Sequence, residues 1–282
     1  MEILVVVVLM SLIVLALMAV FNSTQAAFRA SLTQTDMLEG GRSVMGLVKN
    51  DLESMTPSYS NATNFYAQVA NTVFLQPLTG SSASRTNVIE DVFFITRQNQ
   101  TWKGVGYFVR TNLALASGIG TPGILYRFET NNAVGQSQNP SNLFSAFNGV
   151  RNWSGLPAPS KNNTNALPVG VSQILDGVMS FKVRAFDPSG SWITTNHVYL
   201  AVTNIVAQTN VNYPEVMLYT FYSNAVPAAV EVELGVLEDR ALQRVQSLSG
   251  PAQTNYLAQQ AGKVHLFRQR IPIRNVDPAA YQ

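Results

Sequence analysis

At 282 residues the chain can hold one large domain or two small ones with a core of ordinary size. Only 12% of residues are charged, against about 25% in typical soluble proteins, so much of the surface is Asn, Thr, Ser and Gln, which suits an extracytoplasmic setting or packing inside an assembly. A net charge of +2 from scattered basic residues leaves no electrostatic footprint for nucleic acid, and the lack of cysteine excludes a disulfide framework, a thiolate metal site and a Cys nucleophile.

Residues Ile3 to Phe21 form an apolar run broken only by Ser11. As a helix it spans about 28 Å, close to the roughly 30 Å hydrocarbon thickness of a bilayer. It is too long for a secretory signal and has no basic flank, although Thr24-Gln25-Ala26 resembles a weak cleavage site. A plain membrane anchor is the simpler alternative. Beyond residue 21 the apolar positions continue at helical spacing through Phe28, Leu32, Thr35, Leu38, Met45, Val48, Leu52 and Met55, with no proline before Pro57. This predicts one helix over residues 1–55, membrane-spanning over 1–21 and amphipathic over 22–55, roughly 80 Å long. Asn22-Ser23-Thr24 is a candidate bend. Gly40, Gly41 and Gly46 are expected either to permit close contact with the domain or to be simply tolerated.

Glu2 stands at the head of this run. A carboxylate there is costly to bury in a bilayer. It either sits in the headgroup layer, where a helix N-terminus favours it, or pairs with a positive group on another copy, such as a neighbour's N-terminal amine.

After Pro57 the helical period stops, and residues 56–282 read as a β-rich domain. Strands are predicted at Thr72–Leu75, Val88–Arg97, Gly104–Arg110, Ile124–Glu129, Val178–Phe186, Val198–Ile205, Glu215–Tyr222 and Ala229–Leu237, with a turn at Asp187-Pro188-Ser189-Gly190. Gln136 to Asn165 is the most loop-like region, an insertion that serves as a contact arm or has no fixed structure. Glu238 to Phe267 reads as two helical pieces broken at Ser249-Gly250-Pro251. The basic tail Arg268 to Arg274 is extended and expected to dock on another subunit or, the simpler outcome, to fold back on its own domain. The fold class is α+β, a long N-terminal helix packed against an antiparallel sheet with extended loop insertions.

Met1-Glu2-Ile3-Leu4-Val5-Val6 and the apolar run after it resemble the N-terminus of type IV pilins and type II secretion pseudopilins. In that family a basic leader ending in glycine precedes a few residues and then the glutamate, which implies either that about three mature residues and the leader lie outside this numbering or that the mature start is atypical. Leu175 to Trp192, followed by Val226-Pro227-Ala228-Ala229-Val230, is similar to the minor pseudopilin J group and related PilW-like minor pilins. The resemblance implies a pilin-like fold and a filament subunit. Glu2 would set register by pairing with a neighbouring N-terminus, and Ile3, Leu4, Val7, Val8, Leu12, Leu15 and Phe21 would pack helix against helix. The implied partners are further copies or other pilin-like subunits, the inner-membrane assembly machinery and a prepilin peptidase, with the N-terminus cytoplasmic and the domain periplasmic or on a surface filament. No cofactor is implied.

His197 is expected in a strand-like stretch and His265 near a helix end, neither with a metal-ligand neighbour at useful spacing. No phosphate loop, dinucleotide fingerprint or G-x-S-x-G occurs. Asp187, Ser189 and Ser191 fit a turn better than a calcium loop, though some pseudopilins bind calcium. Glu90-Asp91, Glu238-Asp239, Glu231 and Glu233 read as surface charges. An enzymatic role is therefore not expected. The alternative to a filament subunit is a membrane-anchored, adhesin-like binding module.

Overall fold

The computed structural model describes residues 2–69, 74–77, 84–110, 122–132, 140–151, 167–201, 204–210, 213 and 216–282. Helix α1 (Glu2–Glu53) is continuous. The expected weak point at Asn22-Ser23-Thr24 does not interrupt it, because the Thr24 hydroxyl bonds back to the Val20 carbonyl (2.9 Å) instead of competing for the helix ladder. The Ser11 hydroxyl inside the apolar run is satisfied in the same way by Val7 O (2.9 Å).

The domain is built on a nine-stranded antiparallel sheet. Its strands are β1 (Thr63–Val69), β4 (Glu90–Gln98), β5 (Thr101–Arg110), β6 (Gly123–Asn131), β7 (Val171–Phe186), β8 (Ile205–Thr209), β9 (Met217–Tyr222), β10 (Ala229–Leu237) and β11 (Val264–Pro272). Their order is β11-β10-β7-β6-β5-β4-β1-β9-β8. A separate hairpin pairs β2 (Phe74–Pro77) with β3 (Ser84–Asn87). Of the predicted Thr72–Leu75 strand, Thr72 and Val73 lie outside the described residues.

The sheet curls. Two strands intervene between β4 and β7, yet the Phe181 N–H donates to Val88 O (2.9 Å) and Ile89 bridges Phe181. The concave face holds the main core. There Val44, Met45, Val48 and Leu52 of α1 pack with Phe94, Tyr107, Val183, Val232 and Ile271. Helix α2 (Ser141–Arg151) covers the opposite face of β4, β5 and β6. Helices α3 (Asp239–Gln246) and α4 (Gly250–Gln259) cap Met179 and Leu237 at one end.

Several expectations are corrected. Part of the Gln136–Asn165 loop is helical: Leu143, Phe144, Phe147 and Val150 form one apolar face, and Gly104 and Gly106 of β5 make room for it. A Cβ on Gly106 would lie 2.4 Å from the Phe147 ring. Residues 133–139 and 152–166 lie outside the described residues. Val198–Ile205 is not one strand. A 3-10 turn occupies Val198–Ala201, started by the Thr194 N–H on His197 Nδ1 (3.2 Å), residues 202–203 lie outside the described residues, and β8 pairs with β9 from Ile205. Helix ends at Gln259, so His265, Leu266 and the basic tail form β11, in an unbroken ladder with β10 from Val264–Leu237 to Pro272–Ala229. The tail does fold back on its own domain. Strand β1 has no clear signal in the sequence, because Asn64, Ala67 and Gln68 interrupt its alternation; the Asn64 side-chain amide donates to Ser223 O and Ala225 O (2.7 and 2.8 Å).

Candidate functional site

Helix α1 has two halves with opposite surroundings. From Ile3 to Phe21 its described apolar side chains stand open. Ile3, Val7, Val8, Leu12, Leu15 and Phe21 are each exposed by half or more. The side chains of Glu2 and Leu4 lie outside the described residues; Glu2 begins the helix. This is the one helix among the described residues long and apolar enough to cross a membrane. That is more contiguous apolar surface than soluble chains usually expose. It could act as an anchor or a signal.

From Met37 onward the same helix is part of the domain. Met37, Val44, Met45, Val48 and Leu52 are buried, as is Met55 just past the helix end at Glu53. The sequence-predicted stripe is right from Met45 on, but Phe28 and Leu32 are exposed because the sheet does not reach that far. Gly41 lies under the Phe267 ring, where a Cβ would sit 2.2 Å from Cζ; this is the close backbone approach expected at the Gly40-Gly41 pair. Gly46 has nothing within 4 Å of its Cβ position and is simply tolerated.

Polar contacts lock the last turns of α1 in place. Asp51 takes a two-pronged ion pair from Arg127 of β6 (Nε to Oδ2 2.7 Å, Nη2 to Oδ1 3.1 Å) and a hydrogen bond from the Tyr107 hydroxyl (2.5 Å). Arg127 also reaches Glu129, which Lys103 contacts at 2.5 Å. Burial alone would lower the Arg127 pKa, but its hydrogen bonds to Asp51 and Glu129 outweigh that and raise it. Glu53 takes Arg274 from the end of the chain (2.8 Å), and the Asn275 side-chain amide donates to Met55 O (3.1 Å). A span whose described side chains are exposed is thus joined by one continuous helix to a domain that grips its far end.

The remaining candidates fall as follows. Asp187 Oδ1 accepts from the Ser189 hydroxyl (2.6 Å) and the Ser191 N–H (2.9 Å), and the Gly190 N–H donates to Asp187 O (2.9 Å). That oxygen closes a turn, with Gly190 at φ +85°. His265 faces Glu238 across 3.3 Å from β11. Glu231 takes Arg268 (2.7 Å) and Arg184 (3.4 Å) on the outer face of β7-β10-β11, as a half-exposed charge ladder should.

Glu90 and Asp91 are not surface charges. Both are buried, on opposite faces of β4. Glu90 accepts the Val183 N–H with one oxygen and has no partner for the other, so burial pushes its carboxyl up to about 8. Burial likewise raises Asp91 to about 6, against the pull of Arg151 and Arg110. The sheet's curl, which is invisible in local sequence, covers the first, and α2 shields the second.

No family model, curated protein or solved structure matches this chain.

Proposed function

We propose that this chain is a structural subunit of a type IV pilus-like or type II secretion pseudopilus filament. The observation that carries the proposal is the continuity of α1: one unbroken helix is bare and apolar over a bilayer's thickness at one end and built into a β-rich domain at the other. A simple tether needs no such rigidity. A subunit that must leave a membrane and stack at fixed register does, because every copy has to present its domain at the same height and angle.

In this reading the subunit waits in a bacterial inner membrane with its domain periplasmic, after a prepilin peptidase has processed it. Assembly machinery then draws it into a filament with further copies or related subunits. Lipid-facing surface becomes helix-facing surface, so burial is nearly conserved and packing supplies specificity. Ile3, Leu4, Val7, Val8, Leu12, Leu15 and Phe21 form the core contacts, and Glu2 sets register against a neighbour's amine. The J-like stretches from Leu175 and Val226 favour a minor subunit over a main one.

The test is Glu2→Ala in the native host, with sheared surface material and crosslinked membranes assayed for the chain. Loss or misregister of assembly, with normal membrane levels, is expected. Normal incorporation of the variant would overturn the role of Glu2. Full function of a form lacking residues 1–27 would overturn the filament reading itself.

A further inference from the structure

Strand β11 ends the sheet, and among the described strands it pairs with β10 alone. The bonds at its two ends fix which backbone groups that pairing uses. The Ile273 N–H donates to Ala228 O (3.0 Å) and the Glu238 N–H to Lys263 O (3.2 Å). Hydrogen-bonded pairs alternate along an antiparallel ladder, so the odd-numbered residues from Lys263 to Ile273 turn their N–H and C=O toward β10. Leu266, Arg268, Arg270 and Pro272 turn theirs the other way, and all four residues are exposed. Among the described residues nothing bonds the outward N–H groups of Leu266, Arg268 and Arg270.

Charge is ordered toward this edge. Two cross-strand rows run over the outer face from β7 through β10 to β11. One is Lys182, Glu233 and Arg268; the other is Arg184, Glu231 and Arg270. Each row reads base, acid, base, so each has one base more than acids and ends on an edge arginine. The arginines are held in place. Arg268 contacts Glu231 (2.7 Å) and is still 54% exposed. Arg270 stacks over the Phe186 ring (3.7 Å to the centroid) and donates to Gly190 O (3.2 Å). A further strand continuing the alternation would set an acid opposite each arginine.

Charges and a proline on an edge strand guard it against pairing with its own kind. Two β11 edges brought together would set arginine near arginine, which excludes a second copy's β11 as the occupant. The same charges favour an acidic strand, so repulsion of one partner and attraction of another come from the same two side chains.

We propose that the free edge of β11 takes up an extended acidic segment of another protein, with carboxylates at alternate positions opposite Arg268 and Arg270. Bonds to the outward backbone groups of Leu266, Arg268 and Arg270 supply affinity, and the two ion pairs select the partner. The inference does not depend on filament assembly.

The probe is a fluorescein-labelled synthetic peptide of residues 229–237, the sequence that already pairs with β11 from its other side. Its anisotropy is followed while the full chain, in detergent, is titrated in. Saturable binding is expected. The same peptide carrying Glu231→Lys and Glu233→Lys should bind about tenfold more weakly or worse, because like charges then face each other across the pair. In the full chain, Leu266→Pro deletes an outward N–H that β10 does not use. The domain should keep its unfolding midpoint while binding of the acidic peptide falls about tenfold or more. Arg268→Gln changes an exposed side chain and should narrow the gap between the two peptides. Absence of saturable binding, equal binding of the two peptides, or binding untouched by both Leu266→Pro and Arg268→Gln would each overturn the proposal. None of these outcomes bears on the Glu2→Ala test of assembly.

Discussion

Asp51 of α1 and Arg127 of β6 meet in a two-pronged ion pair at 2.7 and 3.1 Å, with both side chains only 16% exposed. It fixes the rotation and height of the long helix against the sheet, which apolar packing alone would specify less sharply. Removing one partner strands the other in a half-dry place. Asp51→Ala is expected to cost near the lower end of the about 3–5 kcal/mol seen for broken buried pairs. The exposed pair between Glu53 and Arg274, the latter 75% exposed, gives the contrast: Arg274→Ala should cost below about 1 kcal/mol. Denaturant unfolding of the full chain in detergent measures both. Equal losses would show that Asp51 holds nothing beyond a surface charge.

Gly41 and Gly46 lie on the same helix, yet opposite outcomes are expected for them. Gly41→Ala drives a methyl into the Phe267 ring, at an expected cost of about 1–3 kcal/mol. Gly46→Ala meets open space and should stabilise by about 0.5–1 kcal/mol through helix propensity. In a Phe267→Ala background the Gly41→Ala penalty should vanish, because the two residues share one contact. A penalty that survives there would rule out the proposed clash.

Glu90 makes stability depend on pH. Its carboxyl keeps a proton up to about 8 in the folded chain, against an ordinary 4.5, because burial disfavours the charge. Between those values the folded state binds the extra proton, so this contribution is fully present below 4.5, declines as pH rises and levels off above about 8. Glu90→Gln still accepts the Val183 N–H and carries no charge. Its advantage over the parent should grow from pH 5 to 8 to a few kcal/mol. Asp91, raised to about 6, leaves a smaller slope of the same sign in the variant. Unfolding midpoints at several pH values test this, and parallel curves for parent and variant would count against it.

Legibility in the sequence followed the range of the interactions. Helix α1, strand β10, the Asp187–Gly190 turn and most of β4 to β7 were readable because periodicity and turn residues are local. The start of strand β11 looks helical in the sequence, since Asn255 to Leu266 has no strong alternation of its own; β10 supplies the ladder that makes Val264–Pro272 a strand. Helix α2 left a weak local signal in the spacing of Leu143, Phe147 and Val150, masked by the prolines and polar residues around it. The buried pair of Asp91 and Arg151 left none, because its members come from β4 and α2, 60 residues apart in the chain.

By itself the sequence determined that this chain carries a bilayer-length apolar helix running on into an amphipathic one, because hydropathy and period are properties of neighbours along the chain. Only the tertiary structure decided where that helix enters the domain, that Gly41 rather than Gly46 is the point of contact, and that Glu90 and Asp91 are buried. Those outcomes depend on which distant strands the curl of the sheet brings together, and no local pattern encodes that.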